Sequence, residues 1–322
     1  MVLQPAARHD GRVLLVTGAT GYLGAALVDL LVRRGHRVRA VVRDPARAAV
    51  LPAEVERVPA HLGDEESLVR AADGCDGVFH LAASLGPSPD DTRRANVDGT
   101  AAVLRAVERA GVRRLVHTSS SAAVVQADGL VSERAGGGTA LTDPYSTTKA
   151  EAEALVLAAA DGGLDALVVG PVNLYGPSPR GPGSYTELLL AAARGDVTEI
   201  VDASVGWVLA EDVALGHLLA FERGAAGRRY LLCGEVAPFS SVLDTWCVLV
   251  GSRSRVRALP PGSILPPGAG LFARRSEVYG RLGPVRVDDA QARAIGCAPR
   301  GVLEGLRATA AWLGARGAGR PA

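Results

Sequence analysis

Near its start the chain carries the pattern that most restricts its fold. Val13-Leu14-Leu15-Val16 is a short apolar run that passes directly into Thr17-Gly18-Ala19-Thr20-Gly21-Tyr22-Leu23-Gly24. Helical periodicity then holds over residues 22–34 and stops at Gly35. A buried strand, glycines at GxxGxxG spacing and a helix in immediate succession suit a dinucleotide. Gly18 permits the tight turn, Gly21 lets the backbone approach a pyrophosphate, and Gly24 lets helix and strand pack closely. The backbone around Thr20, Tyr22 and Leu23 opens the helix, so its free N–H groups and positive dipole end face the phosphates.

The rest of the first half repeats this alternation. Residues 38–42, 55–58, 77–81, 115–118 and 166–169 read as further short strands. Residues 96–110 and 145–160 read as helices between them. Such a pattern predicts the α/β class: a Rossmann-type, doubly wound parallel sheet with helices on both faces. After Pro171 the pattern changes, with Pro and Gly clustered at 170–183 and again at 260–270. The expected division is a dinucleotide-binding domain over 1–171 and 207–235, and a smaller C-terminal substrate-binding part over 172–206 and 236–322. Residues 207–232 are expected to return to the core as helix plus strand. Ala135-Gly136-Gly137-Gly138 is expected to be a flexible loop beside the active site.

Composition excludes several classes. The formal net charge is +1, which gives no pull toward nucleic acid or an acidic membrane surface. The arginine pairs 33–34, 93–94, 113–114 and 228–229 read as solvated loop and helix ends. Four cysteines form no CxxC, and six histidines form no HxH or HxxxH, so no metal is expected and a reducing compartment is. The start, MVLQPAARHD, lacks a signal peptide's apolar stretch, and no run approaches the ~20 apolar residues of a membrane span. The expectation is a cytoplasmic protein acting on a small molecule, with no nucleic-acid or membrane partner.

Of 35 Lys plus Arg residues, a single one is lysine: Lys149. It stands four after Tyr145 in Asp143-Pro144-Tyr145-Ser146-Thr147-Thr148-Lys149, where Asp143 and Pro144 are N-cap and first-turn residues. Positions i and i+4 share a helix face. A tyrosine, ordinarily near pKa 10, becomes a useful acid–base group when a neighbouring ammonium and a charged nicotinamide favour the phenolate. Lysine is a compact point charge with three rotatable donors, able to grip two ribose hydroxyls, as arginine is not. Thr118-Ser119-Ser120-Ser121 ends the fifth strand, at the edge where ligands bind such sheets; a hydroxyl there can donate to a substrate carbonyl.

The second strand's end bears on the cofactor. Asp44, twenty residues after Gly24, would suit a ribose 2′-hydroxyl and hence NAD. The strand, however, ends at Val42, and Asp44-Pro45 forms an N-cap and first turn. That leaves Arg43 at the tip, suited to a 2′-phosphate and to stacking on adenine, with Arg47 in support. NADP, used as NADPH, is therefore expected over NAD.

Together these motifs resemble the extended short-chain dehydrogenase/reductases, the NAD-dependent epimerase/dehydratase superfamily. The resemblance adds Asp64 after the third strand, Phe79-His80-Leu81-Ala82-Ala83, Asn96-Val97-Asp98-Gly99-Thr100 and Pro171-Val172-Asn173-Leu174-Tyr175-Gly176-Pro177. It implies that Asp64 contacts adenine, that Ala82, Ala83 and Pro171 line the cofactor, and that Asn96 lies near the nicotinamide side. Ser84 and Asn173 are candidate substrate contacts. The catalytic hydroxyl is Ser120, with Ser121 as alternate, and a homodimer is a family expectation.

Two departures bear on substrate. Gly170 stands where the family commonly has Arg, and Val205-Gly206 where sugar-nucleotide members carry Arg-Asp. The 38–45 run looks instead like the dihydroflavonol and cinnamoyl-CoA reductase branch. The reaction expected is reduction of an aromatic or polyketide-like ketone or an aldehyde, by Ser120, Tyr145 and Lys149. Leu174, Tyr185, Leu188, Trp207, Leu271 and Phe272 are offered as apolar lining. The alternatives are a nucleotide-sugar epimerase, with Arg180, Arg253, Arg255 and Arg257 as possible pyrophosphate cations, and a non-catalytic dinucleotide-binding regulator.

Overall fold

The computed structural model describes residues 11–85 and 88–316. The MVLQPAARHD segment and Gly86-Pro87, within the 84–91 loop, lie outside them.

Seven parallel strands form the main sheet: β1 (Val13–Thr17), β2 (Arg37–Val42), β3 (Glu56–Pro59), β4 (Gly77–His80), β5 (Arg114–Thr118), β6 (Ala166–Pro171) and β7 (Arg229–Leu232). Their spatial order is β7-β6-β5-β4-β1-β2-β3, so the chain reverses direction across the sheet between β1 and β4. A crevice opens at the carboxyl ends of the strands at such a switch point, where α/β sheets bind ligands. β4 and β6 are buried at every position, as strands covered on both faces must be.

Helix α1 (Tyr22–Arg33) follows β1 and packs on α4 (Ala210–Arg223). On the other face lie the helix over Glu65–Ala72, α2 (Gly99–Arg109) and α3 (Pro144–Asp161). α2 is preceded by a π-helical turn over Arg94–Asp98, so the segment expected as one helix is two.

Residues 207–232 are expected from the sequence to return to the main core as helix plus strand. α4 and β7 do so, but Trp207, Val208 and Leu209 end the strand Ser204–Leu209 of a separate three-stranded sheet with Asn173–Tyr175 and Glu235–Pro238. Trp207 belongs there because its ring packs edge-on against Tyr175, Tyr185 and Phe239 in the C-terminal apolar cluster.

Two of the arginine pairs correct the expectation of solvated ends. Arg229 is buried, with Nε donating to Glu153 Oε1 at 2.5 Å and Nη1 to the carbonyls of Glu133 and Ala135 at 3.1 Å. Arg114 makes a two-pronged pair with Asp165 and also donates to the carbonyls of Phe221 and Gly224. Arginine's planar fork of five donors lets one side chain gather several buried acceptors, a use that sequence adjacency does not reveal.

Candidate active site

The dinucleotide loop is shaped by contacts that leave no room for side chains. Gly18 has φ +70°, and a Cβ there would lie 2.7 Å from the Ala82 nitrogen. A Cβ on Gly24 would lie 2.0 Å from the Gly18 carbonyl oxygen. No side chain caps the start of α1, so its first N–H groups remain available to an anion. The residues therefore fit a dinucleotide pyrophosphate. Thr20 and Tyr22 also link the loop to the C-terminal part. Arg180 donates to the Thr20 carbonyl at 3.1 Å, and the Tyr22 hydroxyl donates to the Gly176 carbonyl at 2.5 Å. Leu23 packs into the core beneath.

At the tip of β2, Arg43 is exposed and makes no hydrogen bond or ion pair with any described residue. Asp44 is used structurally: its carboxylate accepts the Ala46 N–H at 3.0 Å and caps the 3-10 turn over Pro45–Val50. Asp64 likewise caps a helix, accepting the Ser67 N–H at 3.2 Å. Asn96 is buried and pins the loop after β4. Its side chain accepts from Ser84 N at 2.8 Å and donates to Ser84 O and to Thr148 Oγ1, each at 3.0 Å.

The catalytic candidates converge in a cleft of about 180 Å³ at the carboxyl edge of β4, β5 and β6. Ser119 and Ser120 come from the end of β5, Tyr145 and Lys149 from the first turns of α3, and Pro171 and Asn173 from the end of β6 and just beyond. Ala83 and Leu85 close one side. The Asp143 carboxylate accepts Ser146 N at 3.1 Å and the Ser146 hydroxyl at 2.7 Å, which fixes the start of α3. Ser120 and Tyr145 line the cleft together, and the Ser120 hydroxyl lies near enough to favour the Tyr145 phenolate. Ser121 is buried in the following 3-10 turn and does not line the cleft, whereas Ser120 does. A buried amide nitrogen of Asn173 has no partner among the described residues.

Lys149 is buried, and its Nζ donates to the Thr118 carbonyl at 2.6 Å. Burial pushes the Lys149 ammonium down to about 8, against the opposing pull of Glu153. The Tyr145 phenol is raised, contrary to the expected depression. Burial is the main cause; the Ser120 hydroxyl and the Arg275 charge oppose it. The expected depression depends in part on a charged nicotinamide, which belongs to the bound cofactor and not to the chain.

Of the apolar lining expected, Leu174, Tyr185, Leu271 and Phe272 face the cleft, while Leu188 and Trp207 are core. Sequence reasoning missed Arg275 and Tyr279. They lie on the helix Leu271–Tyr279, which lines the cleft and brings a guanidinium into it with Tyr145. No group of histidine, cysteine or carboxylate side chains among the described residues is arranged to hold a metal. No described helix is long and apolar enough to cross a membrane.

A match to the NAD dependent epimerase/dehydratase family spans residues 14–233, well over half of the chain. The chain belongs to that family. It is an NAD(P)-dependent oxidoreductase of the short-chain dehydrogenase/reductase type. Its relatives include the sterol demethylase protein B of Methylococcus capsulatus, 35% identical over 257 residues, 77% of each chain. Cinnamoyl-CoA reductase 1 of Petunia hybrida is 34% identical over 254 residues, 73% of this chain and 76% of that one. Among solved structures, gox2253 superposes with a TM-score of 0.83 at 28% identity, covering 96% of this chain and all of that one. MoeE5, in complex with UDP-glucose and NAD, gives 0.76 at 29% identity over 95% and 99%. A Cβ at Gly170 would lie 2.9 Å from the Leu231 side chain on the neighbouring strand.

Proposed function

We propose that the protein is an NADPH-dependent reductase of a small ketone or aldehyde and that Ser120, Tyr145 and Lys149 carry the reaction. The observation that supports this most is the shared cleft: the hydroxyl pair of Ser120 and Tyr145 and the buried Lys149 lie together at the sheet edge, facing an apolar wall. When bound, NADPH supplies the hydride to the carbonyl carbon. Ser120 Oγ donates to the substrate oxygen and holds it beside the phenol. Tyr145, kept protonated by burial, gives its proton to the alkoxide as charge develops. Lys149, held by the Thr118 carbonyl, keeps two further donors for ribose hydroxyls and favours the phenolate left behind. Gly18, Gly21 and the start of α1 receive the pyrophosphate, with Ala82, Ala83 and Pro171 along the cofactor. Asn173 and Ser84 are proposed to contact substrate.

NADPH is favoured over NADH by Arg43, which is exposed and uncommitted while Asp44 is spent on its cap. The substrate is favoured as a largely apolar carbonyl compound because Leu174, Leu271 and Phe272 line its side of the cleft. The similarity to MoeE5 with UDP-glucose and NAD supports a second reading, a nucleotide-sugar enzyme. Against it, Val205 and Gly206 supply no cation, and three of the four arginines that would substitute are engaged elsewhere, Arg253 being the exception. Arg257 pairs with Glu199, Arg255 donates to the Ser254 carbonyl, and Arg180 holds Thr20. The test is consumption of NADPH with apolar ketones and aldehydes, alongside incubation with UDP-glucose. Stoichiometric oxidation of NADPH supports the reductase; sugar interconversion without change at the nicotinamide absorbance band supports the other.

A further inference from the structure

Arg275 is half of an unusual feature of the cleft. The guanidinium belongs to the helix Leu271–Tyr279, is largely buried, and lines the cleft together with the phenols of Tyr185 and Tyr279. It lies 5.4 Å from the Tyr279 ring centre and close enough to the Tyr185 phenol to favour its ionised form. It lies near enough to Tyr145 to pull that phenol's pKa down. Leu271 and Phe272, one helical turn earlier, form the apolar neighbour of this polar corner.

Charge in the cleft is one-sided. Its lining holds two cations, Lys149 and Arg275, and no aspartate or glutamate among the described residues. Lys149 is committed to the Thr118 carbonyl and the ribose side. Arg275 does have an acid behind it, with Nη1 3.0 Å from Asp143 Oδ1. That carboxylate is shared, however. It also accepts Ser146 N and the Ser146 hydroxyl, and it sits at the positive end of α3. The guanidinium also makes a long contact, 3.4 Å, to Ser146 Oγ. A buried cation with two phenol hydroxyls beside it, facing a cleft without an opposing acid, suits an anionic oxygen group.

We infer that the substrate carries a carboxylate one or two carbons from the reacting carbonyl, and that Arg275, with Tyr185 and Tyr279, receives it. This rests on the reductase reading above and adds the substrate class to it. With the ketone oxygen at Ser120 and Tyr145, a neighbouring carboxylate reaches Arg275, while the alkyl remainder lies along Leu271 and Phe272. In the reductive direction a 3-oxo acid takes hydride at C3 from NADPH and a proton on oxygen from Tyr145, leaving a 3-hydroxy acid and oxidised cofactor. The carboxylate is unchanged.

The test uses the product side, because 3-oxo acids decarboxylate. The probes are 3-hydroxy-2-methyloctanoate, as a mixture of all stereoisomers, and its methyl ester. Two measurements are made on the full-length protein: kcat/KM for oxidation with NADP+, and calorimetric binding to the protein–NADPH complex, where no turnover can occur. The acid is expected to exceed the ester at least tenfold in both, mainly through KM. Arg275→Met should bring the acid-to-ester ratio close to one, and Arg275→Lys should restore part of it. The ratio is taken within one preparation, so partial unfolding of a variant does not mimic the result. Equal handling of acid and ester by the parent protein, or a ratio untouched in Arg275→Met, overturns the inference while leaving the reductase intact. Tighter binding of the acid, lost in Arg275→Met but without oxidation of either probe, supports the anion site and sinks the reductase reading instead.

Discussion

Lys149 reaches across from α3 to donate to the Thr118 carbonyl at 2.6 Å, which ties α3 to the end of the strand that presents Ser120. One side chain thus joins the two elements that supply the proposed proton donor and the carbonyl-orienting hydroxyl. Its site is closed as well as charged, for Lys149 is 2% exposed.

Lys149→Met should therefore abolish turnover and weaken cofactor binding together, and Lys149→Arg should not rescue, since the larger planar head has no room to rotate its donors. Tyr145→Phe should abolish turnover with cofactor binding largely kept. Steady-state rates and NADPH titration separate the two. Near-parental turnover by the Met variant would remove Lys149 from the reaction.

Arg43→Ala should raise the NADPH dissociation constant about tenfold or more and barely affect NADH, because a charge-assisted pair to phosphate is typically worth about 1.5–3 kcal/mol. Fluorescence titration with both cofactors checks it. Equal affinity of the parent protein for the two would mean that Arg43 does not read the 2′-phosphate.

The pH profile follows from the groups around Tyr145. Reduction needs the protonated phenol, so its rate falls on the alkaline side as the phenol ionises. Ser120 and Arg275 both lower that ionisation. Ser120→Ala should thus move the alkaline limb of kcat to higher pH as well as lowering the rate, and Arg275→Met should move it the same way. A limb that stays in place in both variants would assign it to another group.

Much of this site was legible because its signals are local. GxxGxxG after an apolar run, YxxxK behind an Asp-Pro start, and a serine cluster at a strand end each lie within one turn or loop, and the structure brings them to one edge. The apolar wall was half legible: Leu174, Tyr185, Leu271 and Phe272 face the cleft, but Leu188 and Trp207 look the same in sequence and are core. Arg275 was not legible, since its meaning depends on Asp143, Tyr145 and Tyr185, which only the folded chain places beside it. The buried Arg229 had one overlooked signal. Glu153 falls one turn after Lys149 on the same face of α3, and an acid on a buried helix face calls for a cation.

That pair yields a stability prediction. Glu153 accepts from Arg229 and from Ser119, each at 2.5 Å, with both charged side chains out of water. Removing one partner leaves a buried charge uncompensated. Glu153→Ala or Arg229→Ala should each cost about 3–5 kcal/mol in chemical denaturation, and Glu153→Leu with Arg229→Met together should cost far less than the sum. Additive losses would show that the two charges do not depend on each other.

Three buried histidines set the acid limit. Burial pushes His80 down to about 3 and His217 to about 4, and His117 well below the ordinary range, so all three are neutral in the fold. Unfolded histidine takes up a proton near pH 6.5, so the unfolded state binds more protons below that pH. Each of these histidines then removes about 1.4 kcal/mol of stability per pH unit until its own folded pKa is reached. Urea midpoints should fall from pH 7 to pH 5, and an unchanged midpoint would contradict the buried, neutral assignment.

The central claim is net hydride transfer from NADPH to a carbonyl carbon with Tyr145 as proton donor. The most direct measurement supplies NADPH deuterated at C4, in each configuration separately, with methyl 2-methyl-3-oxooctanoate, and follows the carbinol by mass spectrometry. The account predicts one deuterium at C3 of the alcohol for each NADPH consumed, from one configuration only, and none with Tyr145→Phe. Absence of deuterium from either configuration, in protein that retains a tightly bound cofactor and interconverts UDP-glucose, would contradict it.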